Sequence, residues 1–216
     1  LTTRFENNLS RRWGTRNRYL SFPGESKREN LLRNGPRARF FLCDIDAAPS
    51  LVHSVAFMRK INTRTLAEVV WSSPKGKFGG AGKEVSEALG RKPASTDLRE
   101  RHPFDVEISR IPPGRSLCPY HSHSAQWEFY HVLSGSGQVR DSQSFTAVEP
   151  GDAFIFEPGQ PHQIINNGSE DLILYVVADN PIGESCHYPD SGKFLVRSPE
   201  GQLLRSPPLD YYDGEE

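Results

Sequence analysis

The chain has 216 residues, 36% of them hydrophobic and 25% charged, a balance that fits one soluble globular domain with appendages. Its formal net charge of −1 gives no electrostatic ground for partnership with nucleic acid or a membrane surface, and no apolar run approaches the roughly 18 residues of a membrane helix. Three scattered cysteines, Cys43, Cys118 and Cys186, form no Cys-x-x-Cys pair and predict free thiols in a reducing, cytoplasmic setting.

The first segment, residues 1–57, carries nine Arg and one Lys against five acids, a net charge of +5 against −6 for the rest. It has no sustained helical or alternating period, so residues 1–40 are expected to pack poorly. Such a segment reads either as a leader or, with Met58 as the start, as sequence outside the native protein. From Met58 to residue 212 the pattern is that of one domain. Val69-Val70-Trp71 is a short apolar run. The stretch 79–83, "GGAGK", lacks the spacing of a phosphate loop, because Glu84 stands where Ser or Thr is needed; it reads as a solvated loop. "KEVSEALG" predicts two turns of helix with Val85, Ala88 and Leu89 on one face and Gly90 as cap.

From Phe104 the chain reads as short strands separated by turns: "FDVEISRI", "QWEFYHVL", "GQVR", "SFTAV", "DAFIF", "HQIIN" and "LILYVVA". The breaks carry Pro112-Pro113-Gly114, Gly135-Ser136-Gly137, Pro150-Gly151 and Pro158-Gly159. Strands at spacings of roughly 8–12 residues imply an all-β sandwich or barrel. The tail predicts one further hairpin, Lys193–Arg197 returning on Gln202–Leu204.

The chemistry concentrates in "HSHSAQWEFYHVLSG", residues 121–135. Positions i and i+2 of a strand share a face, so His121 and His123 project together. A turn at Ser124-Ala125 places Glu128 on a neighbouring strand facing the same interior. Gln126, Tyr130 and Val132 then share the face of Glu128, while Trp127, Phe129 and His131 point outward. His162 follows a Pro/Gly turn. Three imidazoles and a carboxylate in one barrel form a mixed nitrogen–oxygen site suited to Fe, Mn, Ni, Cu or Zn as a divalent ion. Gln126 and Tyr130 are the candidates to line the pocket as catalytic residues. Cys118 reads as an inert thiol near the site, Arg140 as a solvated strand arginine, and His187 as ordinary packing.

His121, His123, Glu128 and Gly135 stand in the order H-x-H-x4-E-x6-G, and Gly151, Pro158, His162 and Asn166 form a second cluster. In both, the chain resembles the cupin superfamily, strongly over residues 100–180. "WSSPKGKFG" and "ADNPIGES…YPDSGKF" are similar, less specifically, to uncharacterised bacterial single-domain cupins. Six residues rather than five separate Gly114 from His121, and Pro158 directly abuts Gly159; both departures fall in turns, which absorb them.

The resemblance implies a double-stranded β-helix, or jelly-roll, barrel of six to eight antiparallel strands, with N- and C-terminal extensions. It also implies one divalent ion held by His121, His123, Glu128 and His162. The expected function is that of a metalloenzyme acting on a small polar metabolite, by dioxygenase or by isomerase/lyase chemistry. The alternative is a non-catalytic metal-containing module that binds or senses a small molecule. No helix-turn-helix pattern is present. A homodimer is expected, burying Trp127, Phe129 and His131 across an outer face or sheet edge; alternatively these residues pack under the strand at 66–72.

Overall fold

The computed structural model describes residues 58–93, 95, 97–197, 201–205 and 207–215; the expectations for residues 1–57 lie outside them. In chain order the elements are β1 (Val69–Ser72), β2 (Gly79–Glu84), the single turns α1 (Val85–Ala88) and α2 (Leu98–Arg101), and β3 (Phe104–Ile111). The strands β4 (Ser122–His123), β5 (Glu128–Ser134), β6 (Gly137–Arg140), β7 (Phe145–Val148), β8 (Ala153–Phe156), β9 (Gln163–Ile165) and β10 (Leu172–Asp179) follow. The tail supplies β11 (Ser185–Tyr188), β12 (Lys193–Arg197) and β13 (Gly201–Leu204).

One wall is a six-stranded antiparallel sheet in the order β1-β2-β3-β10-β5-β8. The other comprises β13-β12-β11-β4 and β7-β6-β9. Residues 116–121 stitch these two smaller sheets together by running antiparallel to 162–165: Ser116 lies opposite Ile165 and His121 opposite His162. The result is the expected jelly-roll. Its core joins Ile111, Tyr130, Val132, Leu172 and Leu174 from the large sheet to Leu117, Val139, Val148 and Ile164 from the other wall. The period-2 alternation of β5 is realised as read: Gln126, Glu128, Tyr130 and Val132 are buried, and Trp127, Phe129 and Leu133 are exposed.

Three readings of local structure change. Residues 79–84 are a buried strand, not a solvated loop. Their glycines serve close packing: a Cβ on Gly80 would collide with the Arg110 carbonyl, and one on Gly82 would lie 2.5 Å from Glu107 Oε1. The helix at 85–88 is a single turn closed by Gly90 at φ 97°, because the chain must turn toward β3. The tail is more than a hairpin: β11 pairs with β4, placing Cys186 opposite His123, so the C-terminal extension completes the wall that carries the histidines. Trp127 and Phe129 do not pack under β1, which lies four strands from β5 at the far edge of the sheet.

Asn166 fixes the closed end of the barrel. Fully buried, it donates from Nδ2 to the carbonyls of Ile111 and Glu170, each at 2.7 Å, and accepts from the Gly168 N–H at 3.0 Å. Asn166→Asp replaces the double donor by an acceptor facing two carbonyls. It should cost about 3 kcal/mol or more, read as a lower midpoint in urea unfolding.

Candidate metal centre

The local sequence explains how the site forms. β4 is only two residues long, held between β11 on one side and the 162–165 segment on the other. His121 and His162 exchange backbone hydrogen bonds of 3.1 and 2.8 Å. Ser124-Ala125 then turns the chain into β5, which delivers Glu128 and Tyr130 from the opposite wall. Gly159, at φ 85°, bends the preceding loop back so that its N–H reaches the His123 carbonyl at 2.7 Å.

Of the four predicted ligand residues, His121, His123 and Glu128 bring one ligand atom each within 4.8 Å of one another, and His162 adjoins them through Glu128 and the ring of His121. His121, His123, Glu128 and His162 are each at most 3% exposed. Nε2 of His121 lies 3.0 Å from Nε2 of His123. Glu128 Oε2 lies 2.8 Å from His162 Nε2 and 3.4 Å from His123 Nε2. Ligand atoms about 2.1 Å from a shared ion sit about 3.0 Å apart at right angles and about 3.4 Å apart at tetrahedral angles. The observed separations are those of neighbouring ligands.

The tautomers are set from behind. Nδ1 of His121 lies 2.9 Å from the Pro119 carbonyl, and Nδ1 of His162 lies 3.1 Å from the Gln160 carbonyl. Carbonyls only accept, so each Nδ1 carries a proton and each ring turns its Nε2 inward. His123 Nδ1 faces Glu184 Oε1 at 3.2 Å. The ring of His162 is stacked flat on Phe156, with centroids 3.8 Å apart.

Burial, aided by the neighbouring His123 and His162, pulls the pKa of His121 down to about 3. Burial works to lower His123 as well, yet Glu128, Cys186 and Glu184 together outweigh it and raise His123 well above the usual histidine range. Burial opposes ionisation of Glu128, but His123 and His162 hold its carboxyl well below the usual range. In the protein alone, a proton on His123 therefore supplies the positive charge that the buried carboxylate demands, at a position where a divalent cation can supply it.

Tyr130 donates from Oη to Glu128 Oε2 at 3.0 Å. Gln126 is buried, bonded through Nε2 to the Asp179 carbonyl, with its Oε1 unpartnered. Both line a cavity that also takes in Glu128. Cys118 lies beside the site, its Sγ 3.4 Å from His121 Nδ1. Arg140 faces away, paired with Asp190 at 2.7 and 2.8 Å and stacked over Tyr120, and His187 packs on Phe194.

Sequence reading missed Glu184. It is 3% exposed, and its carboxylate accepts from the N–H groups of Ser124 and Ala125, both at 2.9 Å, as well as facing His123. With His123 and Cys186 it forms a second His/Glu/Cys group. Because backbone donors already engage both oxygens, its role is to brace His123 rather than to bind an ion of its own. It lies about 60 residues from its partner, outside the two histidine clusters, so no ligand spacing marks it.

Residues 107–178 match the Cupin_2 family model, described as a cupin domain. The "Oxalate-binding protein" of Thermotoga maritima is 33% identical over 68 residues, which are 32% of this chain and 55% of that protein; the chain thus matches about half the length of this relative. A protein from Acidithiobacillus ferrooxidans, provisionally named a sugar phosphate isomerase, has a similar fold with TM-score 0.58 at 24% identity, covering 68% of this chain and 92% of that one. A sugar phosphate isomerase of the cupin superfamily from Silicibacter pomeroyi gives the same TM-score at 21% identity, covering 70% and 97%. Domain match, motifs and jelly-roll agree: residues 107–178 form a cupin domain.

Proposed function

We propose that the chain is a metalloenzyme that holds one divalent ion through His121, His123, Glu128 and His162 and converts a small polar metabolite. The observation that carries this reading is that ligand atoms of His121, His123 and Glu128 lie within 4.8 Å of one another, with His162 Nε2 2.8 Å from Glu128 Oε2. The donor set, three neutral imidazoles and one carboxylate, suits Fe, Mn, Ni or Zn. When bound, such an ion acts as a Lewis acid or as the site of O2 chemistry.

The chain's own groups do the rest. Glu128 remains ionised, and Tyr130 Oη, held on Glu128 Oε2, is placed to give or take a proton at the inner end of the cavity. Gln126 Oε1 is an acceptor that can orient a substrate hydroxyl. The cavity beside Glu128 is lined on its apolar side by Leu117 and Val176. The fold-level likeness to proteins named sugar phosphate isomerases favours redox-neutral isomerisation over oxygen-dependent cleavage, as analogy only. Binding without turnover is the second reading, favoured by the name of the Thermotoga maritima relative.

Protein purified without chelators should contain close to one equivalent of metal by elemental analysis, and His121→Ala and His162→Ala should each abolish stoichiometric binding. Retention of full metal by both variants would sink the site. Binding should weaken as pH falls, because a proton and the cation compete for imidazole nitrogen; the competition centres on basic His123 rather than His121. Turnover of small hydroxylated metabolites by the Fe, Mn, Ni or Zn forms, followed by product analysis with O2 uptake, separates the two readings. Ligand binding with no conversion by any form establishes the second.

Glu184→Gln keeps the shape but removes the charge behind His123. It should weaken metal affinity about 10- to 100-fold in chelator competition, with partial rescue by Glu184→Asp. An unchanged affinity would make the contact merely structural.

We also propose that two copies pair across the outer face of β5 and the edge strand β8. There Trp127, Phe129, Leu133 and Ile155 are 36–52% exposed, and Phe129 and Ile155 are direct cross-strand neighbours. Light scattering should give a dimer mass that Ile155→Glu reduces to the monomer; a wild-type monomer at micromolar concentration would refute it.

A further inference from the structure

The inner face of the large sheet carries an acidic row that the cupin motifs do not include. Asp105, Glu107, Ser109 and Ile111 alternate inward along β3. Through β10 the register aligns them with β5: Asp105 with Ala178 and Glu128, Glu107 with Val176 and Tyr130, and Ser109 with Leu174 and Val132. Two strand spacings, about 10 Å, separate the β3 and β5 backbones. Between them lies a floor of Ala178 and Val176, small enough to leave a cavity. Asp105 and Glu107 line one side of this cavity, Glu128 and Tyr130 the other.

The acidic side is built. Gly82 on β2 leaves room for the Glu107 carboxylate, which a Cβ there would strike at 2.5 Å. Ser109 Oγ donates to Glu107 Oε1. Arg91, whose side chain is 8% exposed, places Nη1 2.9 Å from Asp105 Oδ2 and Nη2 2.9 Å from Asn180 Oδ1. Arg91 lies outside the matched domain and reaches this wall from the loop after α1.

Arg91 thus engages Asp105 through Nη1 and Asn180 through Nη2. Glu107 adds a further negative charge. Three buried polar atoms on residues lining the cavity, the acceptors Asp105 Oδ1 and Gln126 Oε1 and the donor Arg91 Nε, have no protein partner, and buried polar groups are rarely left so. A wall that sets two carboxylates against one guanidinium and offers both free acceptors and a free donor suits hydroxyl groups, which donate and accept, better than carboxylate or phosphate.

We propose that Asp105, Glu107 and Gln126 form the substrate subsite for an uncharged polyhydroxylated chain, the ligand reaching from this wall across Val176 and Ala178 to the Glu128–Tyr130 side. The proposal deepens the enzyme reading, since it names the substrate class as a sugar or polyol, with any acidic group of the substrate turned away from β3. A terminal phosphate, as a sugar phosphate would carry, cannot occupy this wall.

The test uses the full chain loaded with Mn or Zn and titrated calorimetrically with four- to six-carbon aldoses and alditols, with the phosphate esters of the same sugars, and with oxalate. At least one aldose or alditol should bind, and more tightly than its phosphate ester presented at the same end. Glu107→Gln and Asp105→Asn should each weaken it 10-fold or more while metal content, measured in the same samples, stays at the wild-type level. Val176→Phe, which fills the floor, should abolish binding, and thermal melts confirm that each variant is folded. Failure of every aldose and alditol to bind the metal-loaded protein overturns the proposal, as does tighter binding of phosphate esters that survives Glu107→Gln. Binding that depends on Glu107 in a protein unable to retain metal would instead sustain this subsite and sink the metal-centre reading, so the two fail separately.

Discussion

Everything in the site depends on keeping one fully buried carboxylate ionised. Glu128 has left water entirely, and an isolated charge there would be expelled or neutralised. It is retained because His123 and His162 approach its Oε2 and Tyr130 donates to the same atom. That arrangement in turn requires β4 and the 162–165 segment to be adjacent, since only their pairing brings His121 and His162 to one point. The positive charge at the centre is interchangeable in principle: a proton on His123 or a divalent ion balances Glu128 equally in sign. They differ in how many lone pairs they engage. A proton bridges two atoms; a divalent ion can engage more. Three imidazoles locked with Nε2 inward are far better matched to the ion.

The locking also shows why the barrel needs its C-terminal extension. His121 and His162 take their orienting acceptors from carbonyls two residues away in the chain, at Pro119 and Gln160. Such contacts come with the local turns and need no distant partner. His123 has no equivalent, because β4 runs on in regular pairing with β11. Its Nδ1 faces Glu184 Oε1 and is approached by Cys186 Sγ, both outside residues 107–178. The matched domain alone would leave one of the three imidazoles unoriented, so part of the apparatus behind the ligands belongs to this chain's own tail.

This division accounts for what can be read from sequence. The strands from Phe104 to Asp179 are legible because alternation and Pro/Gly turns act locally, and the ligand set is legible because His121, His123 and Glu128 lie within one hairpin-sized stretch. The strand at 79–84 is not, because its glycines carry no apolar signal; their reason lies in Arg110 and Glu107 across the sheet. Glu184 is equally hidden, since a polar residue in "NPIGES" becomes meaningful only when β11 pairs with β4. The inward face of β3 sits between these cases. "FDVEISRI" alternates cleanly, but with acids and serine on the face that elsewhere holds the core.

That inversion is the physical signature of a binding wall. A strand whose sole duty is stability would place Val, Ile or Leu at positions 105, 107 and 109, as β10 does opposite them with Leu174 and Val176. Instead the chain buries or half-buries two carboxylates, brings Arg91 from another element to compensate one of them, and clears space with Gly82 for the other. Burying a charge stabilises a fold poorly compared with an apolar residue of similar volume. The same cavity already contains Glu128, where the carboxylate is needed for the cation. A second and third acid near it raise the electrostatic cost further; Arg91 meets Asp105 and Ser109 donates to Glu107. The arrangement makes sense when its acceptors face donors on a bound molecule, so the polarity of β3 and that of β5 are two ends of one recognition surface.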